Sequence, residues 1–355
     1  MIINYLKIFC VACLVGWLFS IANLPLPWML GPLVTVVILE AYFKKKVYWK
    51  VKFRHIGMLF FGYVMGSPFN METCKYILSH IDLIFVMTLI TLGLSLLGGI
   101  LVKKITNINL ATSLIGSIPG GLSQMAVISE EVKEADASTV ILMQTVRVLV
   151  TVSFIPFLVL YGLSNSFESV VKQTYPFVLN DLPQLLIFAV AIVIVLFFTR
   201  NINIPTRYLT IPIVVTALLV LSGFNAPKLP SLITIVAQVA IGINMGQSID
   251  LITSKNWRKI LCYNCLNVLG VICILLFIDY IYTKMNGLDL VTMFISTAPG
   301  GIAEMGITAL MINADLAMVT SFQLFRMLFI LFVGIPFLRW WLNKRVVMQN
   351  ETDTF

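Results

Sequence analysis

Ser117-Ile118-Pro119-Gly120-Gly121-Leu122-Ser123-Gln124-Met125 recurs 180 residues later as Thr297-Ala298-Pro299-Gly300-Gly301-Ile302-Ala303-Glu304-Met305. Each copy lies in an apolar segment long enough to enter a membrane. Pro-Gly-Gly interrupts a helix there, because proline has no N–H and crowds the preceding turn, and glycine gives up backbone order. Broken backbone at membrane depth is tolerated only where protein buries it or where it lines a wet cavity. The duplicated break is therefore the expected site. Its candidate residues are Ser117, Pro119, Gly120, Gly121, Ser123 and Gln124, with Thr297, Pro299, Gly300, Gly301 and Glu304 in the second copy. A helix is expected to begin after each tip. Its free N–H groups and the positive end of its dipole would suit an anion.

The surroundings of the two stretches are those of a polytopic membrane protein. The 355 residues are 59% hydrophobic and 11% charged, against about 25% charged in a soluble domain. Long apolar runs separated by short polar loops point to helices rather than a barrel. Spans are expected at about 5–22, 27–42, 55–70, 81–102, 138–161, 182–199, 207–222, 230–248, 260–281 and 315–340, with the broken segments at 108–129 and 289–311. The N-terminus enters the first run without a clear cleavage site and reads as a retained helix. The net charge of +8 sits in loops at the ends of apolar runs, where it sets topology rather than binding nucleic acid. Glu40, Asp82 and Asp279 fall near span ends and read as interfacial, and Gly93, Gly98 and Gly99 read as packing positions.

The two breaks belong to a wider duplication. At an offset of 180, Pro32 matches Pro212, Gly62, Met65 and Gly66 match Gly242, Met245 and Gly246, and Pro156 matches Pro336. At 179, Asp136, Gln144 and Arg147 match Asp315, Gln323 and Arg326. The expected divisions are a first membrane repeat at 1–161, a linker at 162–181, a second membrane repeat at 182–345 and a C-terminal tail at 346–355. If both Pro-Gly-Gly segments enter and return on one side, each repeat has five spans and the repeats are inverted. With the N-terminus inside, 18 of the 24 Lys and Arg are then cytoplasmic, and Lys75, Lys172, Lys228 and Lys284 lie outside. If both segments cross, the count becomes 15 against 7. The positive-inside rule favours inversion. The expected fold is all-α: a helical membrane protein of two inverted repeats, each with a Pro-Gly-Gly re-entrant or broken helix. The expected location is the bacterial inner membrane, with both termini cytoplasmic.

The helix after each break carries Gln-x-x-Arg, Gln144 with Arg147 and Gln323 with Arg326. Three residues apart places both side chains on one face. An arginine at mid-depth costs at least ~2.5–3.5 kcal/mol and faces the bundle interior with a partner. That partner is a small anionic metabolite held bidentately, or Glu304, or carbonyls freed by the broken helices. Glu304, where the first repeat has Gln124, is a proton or cation site or a counter-charge. Asp136 and Asp315 read as N-caps.

Cys262-x-x-Cys265 and the pair Cys10 and Cys13 lie on apolar helices and read as small packing residues. With only His55 and His80 there is no metal or cofactor centre to propose. The chain reads as a non-enzyme: a secondary transporter of a small carboxylate-like anion, coupled to H⁺ or a cation. The plan of inverted repeats with interrupted helices supports this, and no ATP-binding motif is present. The rival is a membrane sensor or regulator, and behind it a membrane oxygenase, which the shortage of histidines opposes. The lipid bilayer and a small anionic metabolite are the expected partners. Substrate and oligomeric state stay open, a homodimer included.

Gly116 to Met125 and Ser296 to Met305, with the two Gln-x-x-Arg helices, resemble the AbrB family of bacterial membrane proteins over nearly the whole chain. Members are labelled regulators or ammonia monooxygenases. The architecture is also similar to glutamate/sodium symporters and 2-hydroxycarboxylate transporters, with Pro119-Gly121 and Pro299-Gly301 at their re-entrant loop positions. That likeness implies five helices per inverted repeat.

Overall fold

A computed structural model of the chain describes residues 2–342, apart from 23, 25, 42–46, 122–124, 126–127, 130, 133, 164–180, 203, 205 and 248–256. Among the described residues every regular element is helical. In chain order the α-helices are α1 (Ile2–Ile21), α2 (Pro27–Ala41), α3 (Val51–Gly66), α4 (Met71–Ser79), α5 (Ile81–Thr106), α6 (Leu110–Ser117) and α7 (Ala137–Leu158). They continue with α8 (Leu182–Phe198), α9 (Arg207–Leu221), α10 (Ser231–Gln247), α11 (Trp257–Asn286), α12 (Leu290–Thr297), α13 (Ile302–Met311) and α14 (Leu316–Phe329). Among the described residues, four helical stretches are long and apolar enough to cross a membrane: Ile81–Thr106, Ala137–Leu163, Arg258–Asn286 and Leu316–Leu342. The fold is that of an all-α helical membrane protein.

The chain forms two compact units, and each draws on both sequence repeats. One comprises Met1–His80, Ser153–Ile249 and Ala303–Thr320; the other comprises Ile81–Val152, Asp250–Ile302 and Ser321–Phe355.

Close helix approaches fix the directions in the first unit. A Cβ at Gly62 would stand 2.6 Å from Leu209 O, and one at Gly66 would stand 2.5 Å from Ile213 O. The contact moves forward on both helices together, so α3 and α9 run parallel. Gly242 packs on Met29 O and Gly246 on Leu33 O, so α10 and α2 run parallel too. The Tyr5 ring lies 6.2 Å from Trp49 and 6.0 Å from Phe53, which puts the start of α1 beside the start of α3. Val47 N donates to Glu40 Oε1 at 3.0 Å, so α2 ends where α3 begins. His55 stacks on Tyr208 at 3.9 Å, which brings the start of α9 to the same end. Thus α9 begins where its repeat counterpart α2 finishes. The two repeats are inverted.

The second unit gives the same answer. Gly98 of α5 packs against Asn267 of α11, and Val102 clusters with Ile260. These equivalent helices are therefore antiparallel.

Several elements differ from the sequence reading. The third helix begins at Val51, about a turn early, and α4 follows it as an unforeseen helix capped by Asn70, whose side chain accepts from Thr73 N at 2.7 Å. The longer reach of α11, to Asn286, puts Asp279 about 10 Å inside the helix end at 1.5 Å per residue. Asp279 is fully buried within the protein. Cys10 and Cys262 are exposed on their helices rather than packed, with Cys13 and Cys265 half-covered. Gly98 and Gly99 are tightly packed, but nothing lies within 4 Å of a Cβ built at Gly93. The linker residues 164–180 and the tail fall outside the described residues.

Candidate functional site: two broken helices clamped by Gln-x-x-Arg

Each break begins with a capped half-helix. Asn109 accepts from Ala111 N at 3.2 Å and starts α6; Asp289 accepts from Thr292 N at 2.8 Å and starts α12. Each half-helix stops at the Pro-Gly-Gly tip in the same tight turn. Gly120 N donates to Ile118 O at 2.8 Å, and Gly300 N donates to Ala298 O at 2.8 Å. Gly121 has φ +91°, a conformation that suits glycine. The second break leads into α13 at Ile302.

A helix that stops inside the protein leaves carbonyls without intrahelical partners. The Gln-x-x-Arg side chains take them. Gln144 Nε2 donates to Ile115 O, Gly116 O and Ile118 O at 3.2, 3.0 and 2.8 Å. Gln323 Nε2 donates to Ile295 O, Ser296 O and Ala298 O at 3.1, 3.1 and 3.3 Å. Arg147 Nη1 donates to Ile118 O at 3.2 Å. Arg326 Nη1 donates to Thr297 O at 3.0 Å and Ala298 O at 2.7 Å, and its Nη2 donates to Gly300 O at 2.8 Å and to Gln323 Oε1. All four clamp side chains are buried, Arg147 at 6% and Arg326 at 4% exposure.

The clamp also sets chain direction. Bonds from 144 to 147 on α7 track 115 to 118 on α6, so these helices run parallel. Asp136 N donates to Thr112 Oγ1 at 2.9 Å and joins the exit of the broken segment to its entry. The chain between must double back. The bonds of 323 and 326 to 295–300 impose the same return on the second break. Asp136 and Asp315 cap the following helices, accepting from Thr139 N at 3.2 Å and Met318 N at 3.0 Å.

The expected site residues are thus distributed as follows. Ser117, Pro119, Gly120, Gly121, Gln144 and Arg147 gather at the first tip, and Thr297, Pro299, Gly300, Gly301, Gln323 and Arg326 at the second. Ser123 and Gln124 lie outside the described residues. Glu304 sits in the first turn of α13 and acts electrostatically on Arg54. The acceptors of Arg326 are the carbonyls freed by the break, which the sequence offered beside Glu304, because a stopped helix places three of them within its reach. Two side chains at the break were not among the expected site residues. Asp279 Oδ2 accepts from Thr297 Oγ1 at 2.5 Å, and Thr91 Oγ1 donates to Thr297 O at 3.4 Å. The signal for Asp279 was present: it is the one acidic residue in the 30 residues of α11.

Two inverted repeats, each with a helix broken at Pro-Gly-Gly and held by an arginine and a glutamine from the next helix, define a class of polytopic helical membrane protein. The chain belongs to the AbrB family, whose model, described as "Transition state regulatory protein AbrB", matches residues 3–342. It is 24% identical over 347 residues to "Uncharacterized protein YhjN" of Bacillus subtilis (strain 168), covering 91% of this chain and 89% of that protein. It is 25% identical over 255 residues to "Putative regulator AbrB" of Escherichia coli (strain K12), covering 71% and 72%. No solved structure matches the chain.

Proposed function

We propose that the protein is a secondary transporter of a small carboxylate-like anion that works by alternating access, with its site at the two Pro-Gly-Gly tips. One observation carries this reading: two buried arginines, one per repeat, each donate to the carbonyls of a broken helix within one compact unit. Among the described residues the acceptors of Arg326 are all neutral, three carbonyls and an amide oxygen. Neutral acceptors satisfy its hydrogen bonds and add no negative charge. A small anion at the tips supplies that charge, which an arginine fork can grip bidentately. The doubled-back segments are then re-entrant loops, entering and leaving on one membrane face.

The same reading sets orientation. Lys7, Lys50, Lys52, Arg54, Arg200 and Arg207 belong to the end of the first unit where α1, α3 and α9 begin. Arg207 Nη1 donates to Arg200 O at 3.1 Å and joins the end of α8 to that face. By the positive-inside rule this end is cytoplasmic, and it carries the N-terminus of α1. The inner membrane of a bacterium is the location this implies.

A regulatory role is the second reading, favoured by the printed name of the Escherichia coli relative and the description of the family model. Purified protein in liposomes discriminates the two. A panel of small mono- and dicarboxylates should yield binding or flux. A screen with neither, together with tight capture of one specific protein partner, replaces transport with regulation.

A further inference from the structure

We propose that Asp279 is the proton-binding group of this protein, and that its proton sets the charge of the arginine-clamped break. The inference rests on the transport reading for its role in coupling; the proton site itself stands on the local structure.

Asp279 lies inside α11 and has 0% exposure. Its Oδ2 accepts from Thr297 Oγ1 at 2.5 Å, and its Oδ1 is buried without a hydrogen-bond partner. Thr297 is the last residue of α12, and its own carbonyl accepts from Arg326 Nη1 at 3.0 Å and Thr91 Oγ1 at 3.4 Å. One residue thus touches both the carboxyl and the guanidinium. A lone carboxylate in an apolar interior costs far more than a neutral acid. A proton on Oδ1 removes the charge of an atom that nothing else in the described structure satisfies. A metal ion is a poorer fit, since hard cations take six or more oxygens. The described residues hold no group of three or more His, Cys, Asp or Glu side chains placed to bind a metal ion.

The arrangement exists in one repeat only. At the offset of 180 that aligns Thr297 with Ser117, Asp279 aligns with Gly99. A Cβ at Gly99 would stand 2.8 Å from Ser117 Oγ and 3.1 Å from Ser113 O, so no carboxylate fits there. The hydroxyl face of α5 is equally one-sided. Thr88, Thr91 and Ser95, spaced to share a helix face, are buried at 3%, 1% and 4%, while Val268, Val271 and Leu275 hold the matching positions of α11. Other charges on the elements packed here lie toward their ends: Asp82, Lys103 and Lys104 on α5, Arg258, Lys259 and Lys284 on α11 and the cap Asp289 before α12. On α14, Arg326 is the cation that meets Thr297.

The coupling follows from charge. With Asp279 ionised, the break carries its own negative group. With Asp279 protonated, Arg326 loses that field and the break favours an anion more strongly. By linkage, the anion in turn favours the proton, which makes the two move together.

The test is infrared titration of the purified protein in lipid, with no substrate. A buried carboxylic-acid band should rise with acid, vanish in Asp279→Asn and shift in Thr297→Val. A band that persists in Asp279→Asn, or one that answers to sodium at fixed pH, overturns the proposal. A second arm measures binding of the carboxylates that give binding or flux in the liposome panel across pH. Affinity should rise by up to about tenfold per pH unit toward acid for one linked proton, and Asp279→Asn should flatten the slope while retaining binding. An unchanged slope in Asp279→Asn also overturns the proposal. Absence of any carboxylate binding or flux rejects the transport reading instead, and the infrared arm alone then decides Asp279.

Discussion

Gln323 and Arg326 share one carbonyl: both donate to Ala298 O, at 3.3 and 2.7 Å, from positions three residues apart on α14. A carbonyl oxygen has two lone pairs and can accept both. The glutamine holds the end of α12 while the arginine reaches on to Gly300 O past the proline. Removing the arginine leaves buried acceptors short of donors, at about 1–3 kcal/mol each. Arg326→Ala should therefore cost at least ~2 kcal/mol. Arg326→Lys should recover only part, because an ammonium lacks the planar fork that spans several carbonyls. Thermal unfolding in detergent checks the order wild type, Lys, Ala; equal melting of all three would remove Arg326 from the clamp.

The parallel helix pairs depend on absent side chains. At Gly242 an added Cβ runs into the Met29 carbonyl and lies 3.2 Å from Met29 Cα, which are backbone atoms that cannot step aside. Gly242→Ala should lose ~1–3 kcal/mol by overpacking. Gly93→Ala, with open space around it, should be neutral or gain up to ~1 kcal/mol from helix propensity. Melting curves of the two variants separate the effects, and equal stability would dissolve the register on which helix direction rests.

Much of this was legible in the sequence because duplication speaks twice. The offset of 180 locates both breaks, and the matched Gln144/Arg147 and Gln323/Arg326 mark the clamp before any contact is known. What the sequence could not rank was the acceptor of Arg326. Glu304, a formal counter-charge, looked competitive with carbonyls, and only the stopped end of α12 shows how many carbonyls converge. The burial of Asp279 was not legible for a different reason. Apolar runs give helix length poorly, and a helix ended at 281 puts that residue at an interface. The structure extends α11 to Asn286 and buries it. Helix α4 was missed because its nine residues are too few to span a membrane and bury none of their side chains, so it lay between two long apolar runs as a loop.

Inversion makes a topological prediction. Thr206 precedes α9 on the basic end of the first unit, and the exposed Ser222 follows α9 at its other end. In a cysteine-free background, Thr206→Cys should react only with a membrane-permeant thiol reagent, and Ser222→Cys should also react with an impermeant one added to whole cells. The opposite pattern at both sites would turn the orientation over.

The two arginines should separate in their effects. Arg326 makes four hydrogen bonds to neutral acceptors and works chiefly as a brace. Arg147 meets the first break at Ile118 O, and no carboxylate occupies the position that matches Asp279, since Gly99 stands there. The anion should therefore lean on Arg147. Arg147→Lys keeps the charge and loses the fork, so it should weaken carboxylate binding by about tenfold, some 1.4 kcal/mol, with a smaller loss of thermal stability than Arg326→Ala. Glu304→Gln should leave the Arg326 brace intact, because the acceptors of that brace lie at 297–300 and on Gln323, and it should change stability through Arg54 instead. A double-mutant cycle tests this: Glu304 should couple to Arg54 and act independently of Arg326. Strong coupling to Arg326, or undiminished binding in well-folded Arg147→Lys and Arg147→Ala proteins, would reverse the assignment of the two arginines.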